Sequence, residues 1–352
     1  MNRMRNILYE GSVIFLTGVI VSTIGVTVWN CVQGPTIEDF KREYAVGDVW
    51  SQKAVAEKYM RRFAVPDLLK AVEEYNAAGN CHSQGHGIGR AIYDANPNFT
   101  AVIRQCGGTC TQGCFHGAMM EMFQTESDTL GGVINDETPE AYLKHIQETA
   151  LDLCKRPEVA SEVLPRYCTH GLGHAFAYFS PEDMDEAIRS CEMLETKYAS
   201  DSCASGAFME YLFNASSSSL MLGKGAAPCD RYPTHTQACY QYKAYGWVLA
   251  WGGVKPAIRA CDSFGTNMMT CIFTVAQSGA NIKLLEAEQG FDSLCGGLEG
   301  DKHSTCVRGA LFRVIDLNDG DEKNLCARID SRYSAQCAEM LESYQNKVMY
   351  AQ

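Results

Sequence analysis

Positive charge is in short supply in this sequence. Its 352 residues carry 30 Lys and Arg against 42 Asp and Glu, a formal net charge of −12. Phosphate backbones are held by clustered basic side chains, so no nucleic-acid partner is expected. Long apolar–polar alternation is missing too, which leaves no strand pattern. Several catalytic signatures are also absent. Ser83 follows His82 and Gly171 follows His170, so there is no H-E-x-x-H. Neither G-x-S-x-G, nor a P-loop, nor the C-x-x-C-H of haem attachment occurs. GHGIGR at 85–90 has the glycines of a phosphate loop but follows no strand pattern. With 46% hydrophobic and 20% charged residues, the chain is too apolar to be disordered.

Charge of either sign disappears between Glu10 and Glu38. Inside that window Val13 to Trp29 is a run of 17 apolar and small residues. A helix needs about 17–25 of these to cross the hydrocarbon core. Arg3 and Arg5 precede the run, whereas Glu38 and Asp39 lie beyond it beside Lys41 and Arg42. The positive-inside rule then leaves the N-terminus in the cytoplasm and the rest of the chain outside. A cleaved signal peptide is the competing reading, but TVWNC at 27–31 offers no small-x-small site. The expected organisation is a cytoplasmic stub over 1–10, a transmembrane signal anchor over 11–31, a linker over 32–54 and an extracytoplasmic domain over 55–350. The acceptor triplets at Asn98 and Asn214 fit export.

What the sequence has in excess is cysteine, 17 residues. Most fall in close pairs: Cys154 and Cys168, Cys191 and Cys203, Cys229 and Cys239, Cys261 and Cys271, Cys295 and Cys306, Cys326 and Cys337. The first member usually closes a helix-like stretch, as in AIRSC (187–191) or FDSLC (291–295). The second often opens another, as in CTHGLGHAFAYF or CASGAFMEYLF, with a glycine three residues on at 117, 171, 206 and 309. The second cysteines recur at 114, 168, 203, 239, 271, 306 and 337, a period of 31–36 residues after one interval of 54. That longer interval has room for an inserted loop near 125–138. A fixed period of this length marks stacked helical hairpins. Pro followed by acids opens PDLLKAVEEYNAAG (66–79), PEAYLKHIQETALDLC (139–154) and PEDMDEAIRSC (181–191), which suits helix N-termini. By analogy with the later units, Cys106 pairs with Cys114 and Cys81 with Cys110, leaving Cys31 at the membrane edge. A soft metal site or a redox pair is the alternative for CGGTCTQGC at 106–114.

In period and pairing the chain resembles the α/α repeat class, particularly disulfide-stapled relatives of Sel1-like and tetratricopeptide arrays. The tetratricopeptide W-x2-L-G-x2-Y pattern is missing, so the resemblance carries architecture and no site residue. The expected fold is all-α, an N-terminal transmembrane helix followed by an α/α solenoid of about eight disulfide-stapled hairpins. Such a solenoid offers a concave face to a protein or peptide partner.

Five of the eight histidines gather in three units: His82 and His86, His116, and His170 and His174. Two of these sets are H-x3-H, which places both imidazoles on one helix face. His116 and His170 each stand two residues after their cysteine, so they should be spatial neighbours. The reading is a transition-metal site (zinc, copper or iron) made of all five. Met119, Met120 and Met122 would suit copper, or else fill core. Glu121 and Glu210 are candidates for a ligand, an orienting carboxylate or a general base, or for hairpin packing. Glu121 would be the proton acceptor of a metal-dependent hydrolase or oxidase. The rival reading is a metal-free interaction scaffold. YQYKAYGWVLAW at 240–251 reads as core, with a ligand surface as the alternative.

Overall fold

The computed structural model describes residues 34–350, apart from stretches at 76–80, 134–143, 214–220 and 318–323 and shorter breaks. The expected membrane segment and Cys31 lie outside the described residues. Among the described residues no helix is long and apolar enough to cross a membrane.

Those residues form α-helices joined by short 3-10 turns, with no strand. The first part comprises α1 (Ile37–Tyr44), α2 (Val49–Met60), α3 (Val65–Tyr75), α4 (His82–Ala95), α5 (Phe99–Cys106) and α6 (Gly113–Val133). Then come α7 (Pro157–Ala160), α8 (Pro165–Phe179), α9 (Met184–Glu192), α10 (Lys197–Phe213), α11 (Thr236–Ala250) and α12 (Val254–Ala260). The chain ends with α13 (Met268–Gly279), α14 (Ile282–Glu286), α15 (Gly290–Cys295), α16 (Gly300–Leu317), α17 (Leu325–Arg328) and α18 (Ser334–Tyr350).

Three boundaries differ from the sequence reading. The linker expected over 32–54 is largely helical, because Thr36 starts α1 with a capping box. Its hydroxyl accepts from Asp39 N at 3.2 Å, and the Asp39 carboxylate accepts from Thr36 N at 2.9 Å. Phe40 and Tyr44 on α1 are then buried against Tyr59 of α2 and its neighbours. The loop expected near 125–138 is helix as far as Val133. The helix expected from Pro181 begins at Met184, where the Asp183 side chain accepts from Glu186 N.

The long helices pack in chain order: α2 on α4, then α6, α8, α10, α11, α13, α16 and α18. Shorter helices such as α5, α9, α12, α15 and α17 cover the partner that follows each of them. The recurring glycine sets the stacking distance. A Cβ on Gly117 would overlap the His86 carbonyl oxygen, and one on Gly206 that of His170. Only glycine lets these backbones meet.

Eight disulfides staple the stack: Cys81–Cys110, Cys106–Cys114, Cys154–Cys168, Cys191–Cys203, Cys229–Cys239, Cys261–Cys271, Cys295–Cys306 and Cys326–Cys337. Their Cα separations run from 5.0 to 5.8 Å. Sixteen cysteines held this way suit an oxidising, extracytoplasmic compartment. They also leave CGGTCTQGC no thiolate for a metal or redox role.

The last helices of the stack fold back onto its middle. Arg166 at the start of α8 pairs with the Asp316 carboxylate on α16 at 2.7 Å, across 150 residues, and its other amine donates to the Asp316 carbonyl at 3.2 Å. Tyr344 of α18 donates to the same carboxylate at 3.0 Å and lies under the Arg166 guanidinium. The inner faces of α8, α10, α11, α13, α16 and α18 thereby surround a cavity of about 1160 Å³.

Candidate metal centre

The histidines come from three successive long helices, α4, α6 and α8. Gly171 on α8 is what admits His116: a Cβ there would stand 2.8 Å from the His116 ring. In the resulting cluster His82, His116, His170 and His174 each offer one ring nitrogen, all within 4.8 Å of one another. His116 Nδ1 lies 3.2 Å from His82 Nε2, and His174 Nε2 lies 3.2 Å from His170 Nε2.

The outer partners decide which nitrogens are bare. His116 Nε2 lies 2.9 Å from the Tyr167 carbonyl oxygen, which can only accept, so the His116 proton sits there and Nδ1 turns inward unprotonated. His170 Nδ1 meets Ser205 Oγ at 2.7 Å. The Ser205 hydroxyl already donates to the Ser202 carbonyl at 2.7 Å, so it accepts from His170 and leaves His170 Nε2 bare. His174 Nδ1 lies 2.9 Å from Glu210 Oε2, and with that carboxyl ionised the ring donates to it and bares its Nε2 in turn.

With Glu210 ionised, His170 and His174 aim two lone pairs at each other across 3.2 Å. That arrangement calls for a cation between them, or a proton moved onto one ring. Tetrahedral zinc with bonds of about 2.0–2.1 Å sets its ligand nitrogens roughly 3.3 Å apart. The two close pairs already have the edge length of such a polyhedron.

Burial keeps these rings neutral and ready to ligate. It is the main cause that holds His86, His116 and His174 well below the usual imidazole range, and the neighbouring imidazoles add to it. His170 falls to about 3, by burial and then by His82. Burial also pushes the Glu210 carboxyl up to about 7, opposed by Arg90.

Two of the residues expected at the site stand apart from the convergent four. His86 shares a helix face with His82 but stands outside the convergent four. It forms a second group with His174 and Glu210, and its buried Nε2 has no hydrogen-bond partner. Glu121 is neither ligand nor general base in this arrangement. One oxygen pairs with the buried Arg90 at 2.7 Å and the other with the partly buried Lys53 at 2.6 Å, so both are committed to cations. Glu210, at the comparable place on α10, is the carboxylate that orients a histidine.

Met119, Met120 and Met122 are buried. Tyr240 and Trp247 are buried too, whereas Tyr242 and Tyr245 on another side of α11 line the cavity. Lys243 is buried between these faces and donates to the carbonyls of Met221, Gly223 and Ala227. Sequence reasoning missed Ser205, Tyr167 and the cavity. Ser205 had a signal: it stands two residues after Cys203, as His116 and His170 do after Cys114 and Cys168. His82, His116 and His170 border the cavity, so one side of the cluster faces it.

No protein-family model matches the chain, and no curated protein or solved structure matches it either.

Proposed function

We propose that this chain is a membrane-anchored extracytoplasmic α/α solenoid that holds a divalent first-row transition ion (zinc, copper or iron). The ion lies between His82, His116, His170 and His174. Residues 11–31 form the anchor, and the repeat architecture is of the Sel1-like or tetratricopeptide-like kind. The observation that carries the metal reading is the convergence of four ring nitrogens, from His82, His116, His170 and His174, within 4.8 Å of one another. Unsatisfied buried polar atoms cost about 1–3 kcal/mol each, and a cation converts that cost into coordination. With the described cysteines oxidised, the donors are imidazoles, which suit zinc, copper and iron. The ion would sit at the wall of the cavity with four imidazoles around it, the closed coordination of a site that holds its ion in place. Glu210 fixes His174, and Ser205 fixes His170.

The test is metal content of the full chain, produced in an oxidising host and extracted in detergent, beside a His116→Ala/His170→Ala variant. About one ion per wild-type chain, lost in the variant with helicity unchanged by circular dichroism, supports the site. Absence of metal from wild type, with no uptake of added zinc, copper or iron, overturns it. That outcome leaves the metal-free scaffold with a protein or peptide on its concave face.

A further inference from the structure

We propose that the cavity beside the histidine cluster binds a small organic anion, its acidic group on Arg313 and its body directed toward the histidines. The inference rests on the metal-centre reading for the role of that body's far end, but the anion contact itself needs no ion.

The charges along the cavity wall are unevenly matched. Lys197 pairs with Asp201 and donates to the Thr234 carbonyl at 2.6 Å. Arg166 is committed to Asp316 and to the Tyr167 hydroxyl. Glu339 and Glu342 of α18 are exposed. Arg313 of α16 is half-buried in the wall, and among the described residues it makes no ion pair or hydrogen bond. A guanidinium in a partly desolvated wall is expensive until an anion joins it. Its planar fork matches a carboxylate through two parallel hydrogen bonds.

The surroundings suit the rest of such a ligand. Tyr242 and Tyr245 stand close enough that the Arg313 charge opposes the burial that raises both phenols, Tyr245 to about 12. Tyr242 in turn lies against His170, ring centroids 6.1 Å apart. Arg313, Tyr242 and His170 thus form one continuous wall from a cation to the histidine cluster. Gln277 is 4% exposed and makes no side-chain hydrogen bond among the described residues, though it lines the cavity. Phenol rings and an amide along the same wall fit an aromatic carboxylate. At about 1160 Å³ the space exceeds what one ring needs.

The probe is 2-naphthoate, with 2-naphthamide as its neutral counterpart, titrated calorimetrically into chelator-treated full chain. Saturable naphthoate binding, weakened about tenfold or more by Arg313→Gln, with naphthamide binding no better to wild type than to the variant, is the expected result. Equal naphthoate affinity in wild type and Arg313→Gln, equal binding of both probes, or no saturable binding would overturn the proposal. His116→Ala/His170→Ala should retain naphthoate binding. Loss there with Arg313 intact would place the acid on the histidines and overturn it as well. Metal content of Arg313→Gln should equal that of wild type, so failure of the anion site and failure of the metal centre are read separately.

Discussion

Ser205 occupies on α10 the position that His170 occupies on α8, and the two side chains meet at 2.7 Å between Oγ and Nδ1. The repeat thus places a candidate ligand in one unit and the group that orients it in the next. Ser205→Ala removes the acceptor that holds the His170 proton on Nδ1. Metal affinity should fall about 10–100-fold, the usual cost of losing such a partner. Competition with a chromophoric chelator reads the change. Unaltered affinity would mean that Ser205 does not set the tautomer.

Glu121 makes the opposite prediction. It neutralises Arg90 and Lys53 between α2, α4 and α6 and donates nothing to the centre. Glu121→Gln removes the carboxylate that neutralises the fully buried Arg90 guanidinium, at a cost of about 3–5 kcal/mol. Denaturant unfolding should show that loss, while metal per folded chain stays at the wild-type value. A variant of normal stability that binds no metal would restore Glu121 as a ligand.

Acid should destabilise the metal-free protein. Burial holds His170 near 3 in the folded state, against 6.5 for an exposed imidazole. Between those values the unfolded chain binds a proton that the folded chain refuses. The contribution is therefore full above pH 6.5 and is lost as pH falls toward 3. Each such ring contributes up to about 1.4 kcal/mol per pH unit. Urea midpoints of chelator-treated protein should drop from neutral pH toward pH 4, less steeply in His170→Gln. A flat profile would contradict neutral buried histidines.

Breaking the contact between the start of α8 and the last helices tests the cavity. Arg166→Met removes the ion pair to Asp316 and the cation above Tyr344. Hydrogen bonds to charged groups contribute about 1.5–3 kcal/mol, less here because Asp316 is partly exposed. Amide exchange should quicken at the start of α8 and in α18, with no change around α9. Unchanged exchange in α18 would show that Arg166 does not hold it.

Much of this was legible because a regular period fixes spatial neighbours. The cysteine spacing specifies six pairings and analogy with them suggests the other two, and the shared offset from cysteine puts His116 beside His170. What stayed hidden depends on contacts between distant units. Glu121 and Glu210 hold comparable places, yet their roles diverge because Arg90 and Lys53 arrive from α4 and α2. His86 was grouped with His82 by its i,i+4 spacing, but that spacing fixes a face and not where each ring nitrogen points. The cavity needed Arg166 and Asp316 to meet, and neither residue carries a local sign of the other.

The four converging imidazoles come from helices whose starts are fastened by disulfides at Cys81, Cys114 and Cys168. The nitrogens are thus brought to one point by cross-links that form only outside the cytoplasm. On the proposed function, maturation would have an order: oxidation first, then loading. An ion carried on the chain during export would find no assembled site, so its supply would come from the compartment in which the protein folds.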